Sequence, residues 1–270
     1  LFPYTTLFRS GAYPRRCIKG VSALKIILSG CTGKMGQVIA RTVAERDGCE
    51  IVAGLDRVAD NTRAFPVFAT ADIDIPADII IDFSHPALLQ TVLALAEKRH
   101  LPVIIATTGL SDEQLAAVRA LSEKVPVFFS ANMSIGVNLL SALVEKAAKV
   151  LGNDFDIEIV EKHHNQKVDA PSGTALMLAD AAKAGLSFAP HYVFDRHSVR
   201  QKREKTEIGI SSVRAGTIVG EHEVIFGGQD EVITLSHLAM SKEIFAVGAL
   251  NAAAFLVGRP AGLYSMKDML

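Results

Sequence analysis

Residues 163–175 read HHNQKVDAPSGTA: two adjacent histidines, a lysine, and then Pro-Ser-Gly-Thr opening a helical pattern. Ser172 after Pro171 is suited to cap that helix, so Gly173 and Thr174 would present unpaired backbone N–H groups at its positive end. Such an end attracts a carboxylate or phosphate, and a glycine there lets the anion reach the backbone. Lys167 adds a mobile positive charge, and His163 and His164 exchange protons near neutral pH. Glu161, two positions before His163, shares its strand face and is placed to orient or charge-tune it. A polar loop with an ordinary cap accounts for any one of these residues. It accounts poorly for the set, because clustered cations facing a helix start repel one another without an anion. Metal binding is disfavoured: neighbouring histidines on a strand chelate poorly, and no Cys or carboxylate completes a usual spacing.

A second constellation is SGCTGKMG, residues 29–36, where a buried strand turns into a helix. Gly30 permits the tight turn, Gly33 lets a pyrophosphate approach, and Gly36 allows close packing of the helix. The Gly-x-x-Gly-x-x-Gly spacing differs from the commoner dinucleotide fingerprint. Asp56, twenty residues after Gly36, closes the next strand and can accept hydrogen bonds from an adenosine ribose. Arg57 follows and can pair with a 2′-phosphate, so NADH and NADPH both stay open. Ala106, Thr107 and Thr108, with Ser130, Ala131, Asn132 and Met133, end two later strands and would line the nicotinamide side. Cys31, with no neighbouring base, reads as a small packing residue rather than a nucleophile.

The elements that must position these groups follow from patterning. Short apolar runs alternate with helical periods: strands at 23–30, 50–56, 77–84, 102–109 and 126–132, and helices at 33–47, 86–99 and 111–124. Pro86 suits a first helical position, and Ser111 with Gln114 has capping-box spacing. The fold expected is α/β, a Rossmann-type doubly wound parallel sheet, plus a second α+β domain with a mixed or antiparallel sheet. That second part begins with an amphipathic helix at 135–152 and a strand at 154–164, and continues with β-like stretches at 206–216, 217–228 and 230–239. A final apolar helix from about Ile244 would return to the first part. The expected domains are therefore 23–133 plus 242–270 for the dinucleotide, and 134–241 for substrate and oligomerisation.

Composition narrows the partners. Lys and Arg total 28 against 29 Asp and Glu, so no global charge favours nucleic acid or an anionic membrane. The basic run 196–205 lacks interleaved aromatics and reads as a solvated loop. The apolar run 244–258 is interrupted by Asn251 and is shorter than the roughly 20 residues a spanning helix needs. Cys17, Cys31 and Cys49 show neither disulfide nor zinc spacing, which fits a reducing cytoplasm. His85, His100, His191, His197, His222 and His237 are isolated in sequence and read as core or surface residues. Residues 1–10, LFPYTTLFRS, resemble a translated sequencing-adapter oligonucleotide. Residues 1–22 are set aside as an adapter-like or non-native, disordered extension, with native sequence expected from near Val21 or Ser22.

EIVEKHHNQKVDAPSGTA (158–175) resembles the signature of the 4-hydroxy-tetrahydrodipicolinate reductase family, and GCTGKMG, ATTG, SANMSIGVN and RAGTIVGEH stand in that family's order. The resemblance implies NAD(P)H-dependent reduction of a cyclic unsaturated dicarboxylate in lysine and diaminopimelate synthesis, by a cytoplasmic homotetramer. It implies that His163 and Lys167 handle protons, that His164, Gly173 and Thr174 bind substrate carboxylate, and that Gly30, Cys31, Thr32, Gly33, Lys34, Met35, Asp56, Arg57, Ala106–Thr108 and Ser130–Met133 contact cofactor. Whether His163 or Lys167 delivers the proton stays open. Two departures stand out: Ala106 replaces a common Gly, and residues 184–205 are shorter than in some members. The competing readings are another two-domain NAD(P)-dependent dehydrogenase of aspartate-derived metabolites and a non-catalytic NAD(P)H sensor. An acyl-forming semialdehyde enzyme needs a Cys beyond Cys49, and a sensor needs no His163, Lys167 and Gly173 together.

Overall fold

The computed structural model describes residues 23–270, and the expectation for 1–22 lies outside them. Contacts divide the chain into two units, one running to Ala131 and resuming at Ala246–Met269, the other spanning Asn132–Phe245.

The first unit is built on a wholly parallel seven-stranded sheet. Its strands are β1 (Leu24–Ser29), β2 (Cys49–Leu55), β3 (Val67–Phe68), β4 (Ile79–Asp82), β5 (Val103–Ile105), β6 (Pro126–Phe129) and β12 (Gly262–Tyr264), in the order β12-β6-β5-β4-β1-β2-β3. Helices on both faces make the central strands near-continuous apolar runs, and LKIILS, IIID and VII are almost wholly buried. The crossovers are α1 (Lys34–Ala44), α2 (Leu89–Arg99) and α3 (Asp112–Ser122). Ser111 and Gln114 form the expected capping box, with both reciprocal hydrogen bonds present. Pro86 opens a short 3-10 turn that leads into α2. Four of the strands lie within the ranges expected from sequence, and β2 overlaps its range but starts one residue earlier, at Cys49. β3 and β12 were not anticipated, because two- and three-residue strands carry no periodicity. Strand order reverses between β1 and β4, the place where such sheets bind ligands beyond their carboxyl ends.

The second unit stacks α4 (Ile135–Leu151) and α5 (Gly173–Gly185) on one face of a mixed sheet. Its strands are β7 (Asp156–His163), β8 (His191–Val193), β9 (Glu207–Arg214), β10 (Gly220–Gly227) and β11 (Val232–Ala239), in the order β11-β10-β7-β9-β8. β10 is antiparallel to both neighbours, and β7, β9 and β8 run parallel. Strict alternation along β7 sends Ile157, Ile159, Glu161 and His163 to the helix side. There Ile208, Ile210, Val224 and Phe226 join Leu140, Val144, Leu178 and Ala182 in one core. The basic run 196–205 is anchored to this sheet: Arg196 pairs with Glu158 and Glu207, and Arg203 and Lys205 pair with Asp156. α6 (Glu243–Leu256) leads back into the first unit.

Candidate active site

In the first unit the glycine loop has physical reasons for its glycines. Gly30 has φ +75°, and a Cβ there would lie 2.6 Å from the Phe83 carbonyl oxygen, on the loop after β4. A Cβ on Gly36 would lie 2.2 Å from the Gly30 carbonyl oxygen, so the first turn of α1 is packed onto the loop itself. Gly33 caps α1 with no side-chain hydrogen bond and no acidic residue in the first turn, which leaves the positive helix end to a ligand. Asp56 is buried, and its Oδ2 accepts from the Thr32 N–H at 2.9 Å and the Thr32 hydroxyl at 2.7 Å. Its Oδ1 accepts from the Arg57 N–H at 2.8 Å. Burial works to raise the Asp56 pKa, but these bonds outweigh it and hold the carboxylate below its ordinary range. Of roughly four acceptor sites on a carboxylate, three are taken, which leaves room for one donor such as a ribose hydroxyl. Arg57 is exposed beside it. Cys31 is buried, and burial together with the Asp56 charge pushes its thiol up to about 11, consistent with packing and not attack.

The strand ends beside this loop are tied together. Thr107 donates to the buried Asp82 at 2.7 Å and accepts from the Ser84 N–H at 3.1 Å, joining the ends of β4 and β5. Its hydroxyl is thus turned inward, because a fully buried carboxyl needs a donor. Ala106 is buried with it, and Thr108 is exposed. Ser130 and the exposed Ala131 end the first unit, and Asn132 and Met133 begin the second.

In the second unit β7 ends at His163, so the alternation that would separate the two histidines stops there. A turn follows in which the Lys167 N–H donates to the His164 carbonyl at 3.1 Å, drawing His163, His164 and Lys167 into one neighbourhood. His164 is half-buried, and its Nδ1 has no hydrogen-bond partner among the described residues. Lys167 is the positive charge that the sequence places on this loop. Its ammonium pairs with Asp169 at 2.8 Å, because the turn brings the two side chains together. Ser172 caps α5 as anticipated, accepting from the Ala175 N–H at 3.1 Å. Gly173 is exposed at the first position, and a Cβ there would meet no heavy atom within 4 Å. The Thr174 hydroxyl accepts from Asn132 Nδ2 at 3.0 Å, while Asn132 Oδ1 accepts from the Ser134 N–H at 2.9 Å. A residue expected at the cofactor thereby touches one expected at the substrate.

Behind His163 lies a buried polar network. Glu161 is fully buried and bonds His163 Nδ1 at 2.5 Å. Arg214 grips the same carboxylate with two hydrogen bonds of 2.7 and 2.8 Å, and the Ser172 N–H donates to it at 3.1 Å. Burial alone would raise the Glu161 pKa, but Arg214, His163 and Ser212 bring it down to about 2. Burial, with the Lys167 and Arg214 charges, holds His163 below the ordinary histidine value against the opposing pull of Glu161. His222 is buried on β10, its ring 5.1 Å from that of His163 and its Nε2 3.0 Å from the Ser172 hydroxyl. Burial and the neighbouring His163 lower its pKa to about 4. Arg214 and His222 went unassigned in the sequence reading because strand pairing, not sequence proximity, brings them here: His163 pairs with Arg214 and Glu161 with His222.

Comparison with known proteins shows the family. The family described as "Dihydrodipicolinate reductase, N-terminus" matches residues 24–133, and "Dihydrodipicolinate reductase, C-terminus" matches residues 136–270. A 4-hydroxy-tetrahydrodipicolinate reductase of Caldanaerobacter subterraneus subsp. tengcongensis is 51% identical over 92% of this chain and 98% of its own. One from Clostridium novyi is 47% identical over 91% and 98%. Among solved structures, a dipicolinate-bound dihydrodipicolinate reductase from Paenisporosarcina sp. TG-14 superposes with TM-score 0.74 at 27% identity, covering 92% of this chain and 100% of that one. A myo-inositol dehydrogenase from Corynebacterium glutamicum, at 15% identity and TM-score 0.54, shares the fold alone. Two family models that together cover residues 24–133 and 136–270, and relatives matching along nearly the whole described length, show that the chain belongs to the dihydrodipicolinate reductase family.

Proposed function

We propose that this chain reduces 4-hydroxy-tetrahydrodipicolinate to tetrahydrodipicolinate, with release of water, in the diaminopimelate branch of lysine synthesis. The observation that carries the substrate half is Gly173: neither packing nor a left-handed φ demands glycine there, so its bareness serves something that approaches the start of α5. A carboxylate of a small dicarboxylate is the matching ligand, received by the first N–H groups of α5, the Thr174 hydroxyl, His164 and Lys167.

When bound, the reduced nicotinamide cofactor supplies a hydride. Residues 30–35 would hold its pyrophosphate, Asp56 its adenosine ribose, Arg57 the 2′-phosphate of NADPH, and residues 106–108 and 130–133 its nicotinamide side. The charge left on the substrate requires a proton. Lys167, as an ammonium, and His163, which burial holds below the ordinary histidine value, are the groups that supply and exchange that proton. The acyl-forming alternative finds no support in the two described cysteines, Cys31 and Cys49, both of which are buried.

The assembly is a homotetramer in the cytoplasm. The face of the second sheet away from α4 and α5 carries the exposed Val213, Val232 and Leu238 among ion pairs such as Lys162 with Glu221, a surface suited to a second copy. No helix among the described residues is long and apolar enough to cross a membrane.

The test is oxidation of NADH and of NADPH with the freshly generated condensation product of pyruvate and aspartate semialdehyde. Turnover is expected, and His163→Ala with Lys167→Ala should abolish it while cofactor Kd stays within about twofold. No oxidation of either cofactor by the unaltered enzyme would reject the assignment.

A further inference from the structure

The Glu161 carboxylate has one oxygen for each task. Oε1 accepts from Arg214 Nη2 at 2.7 Å and from the Ser172 N–H at 3.1 Å, and Oε2 accepts from Arg214 Nη1 at 2.8 Å and lies 2.5 Å from His163 Nδ1. An ionised carboxylate only accepts, so His163 must carry its proton on Nδ1 and its lone pair on Nε2. Nε2 faces β10 at Gly220, where a Cβ would come within 3.1 Å of it. Arg214 reaches further, donating also to the Asp169 carbonyl in the loop that carries Lys167. Ser172, which caps the anion-receiving helix, is bound to the same carboxylate through its N–H and to His222 through its hydroxyl.

We propose that Glu161, locked by Arg214, is a positioning residue that fixes His163 as the Nδ1–H tautomer with Nε2 presented for proton exchange, and that the pair sets the pH range in which His163 works. The proposal rests on the functional reading above for its kinetic consequences, but not for the tautomer itself. The groups facing His163 are Glu161 on its own strand, Arg214 on β9, His222 on β10 with His237 beyond it on β11, and Lys167 with Asp169 on the following turn.

The variants act in opposite directions. In Glu161→Gln the position of Oε1 faces two fixed donors, Arg214 Nη2 and the Ser172 N–H, and that of Oε2 only one, Arg214 Nη1, since the His163 proton can move. The amide oxygen therefore settles at Oε1 and the NH2 group turns toward His163, driving its proton to Nε2. Losing the carboxylate also removes the main support for an imidazolium, so the His163 limb of the kcat/KM profile moves to lower pH. In Arg214→Gln the carboxylate is no longer neutralised, so that limb moves to higher pH, each by about one unit. Turnover by Glu161→Gln should fall by up to about 10⁴-fold, the scale for losing the carboxylate partner of a histidine in a serine protease, with NADH Kd within about twofold. Imidazole 15N NMR of the unliganded full chain reads the tautomer directly. Retention of the Nδ1–H tautomer in a folded Glu161→Gln protein, or limbs that stay put or move the same way in both variants, overturns the proposal. If Glu161→Gln does not fold, the wild-type tautomer and the Arg214→Gln limb decide it: an Nε2–H ring, or a limb that does not rise, overturns it. If the unaltered enzyme shows no turnover, the functional reading fails while the NMR result still judges the tautomer.

Discussion

At pH 7 the ring of His222 is neutral, since burial and the nearby His163 hold its pKa at about 4 against an ordinary 6.5. Between those two values the unfolded chain binds a proton that the folded chain excludes. Stability is therefore expected to fall as pH drops through that window, by up to about 1.4 kcal/mol per pH unit for one proton. His163 and His237, also lowered chiefly by burial, act in the same direction just below 6.5. Glu161, an acid, acts in the same direction at lower pH, its stabilisation complete above about 4.5 and lost toward about 2. Thermal denaturation of His222→Gln from pH 7 to 4 should show a shallower loss than wild type, and an unchanged slope would mean that His222 is protonated in the folded protein. At this scale the sequence disclosed His163, Lys167, Glu161 and the cap at Ser172, all on one contiguous stretch. It did not disclose Arg214 and His222, whose roles come from cross-strand register with His163 and Glu161 over more than fifty residues.

α5 illustrates what an element contributes beyond its residues. Ser172 stops the chain from entering the helix earlier, Ala175, Leu178, Ala179 and Ala182 bury one face, and the first turn is left for a ligand. Gly173→Ala separates folding from binding. Replacing glycine in a helix gains up to about 1 kcal/mol, and no neighbour lies within 4 Å to object. The variant should melt at or slightly above the wild-type temperature while its substrate KM rises about tenfold or more. Unchanged KM would move the carboxylate site elsewhere. Helices α1, α3 and α5 were legible because caps and periodicity are local signals. β8, like β3 and β12, was not, since a strand of three residues is defined by its partner.

For the molecule as a whole, the two-unit plan followed from the change in texture after the fifth expected strand, whereas assembly is written in no motif. The open sheet face supplies a direct test: Leu238, 56% exposed and opposite Glu221 on β10, is on that face. Leu238→Glu would place two carboxylates side by side there, and sedimentation velocity should show a tetrameric wild type giving way to smaller species. A smaller wild-type species, or a variant of unchanged size, would remove this face from the assembly. The hydrogen bond from the Asn132 amide to Thr174 carries a consequence of its own. Because the amide donates to the hydroxyl oxygen, and the Ser134 N–H fixes which end of the amide that is, the Thr174 hydroxyl keeps its own hydrogen to donate. With the bare N–H groups of the first turn, that hydrogen adds to the donors at the start of α5, the polarity an anion requires.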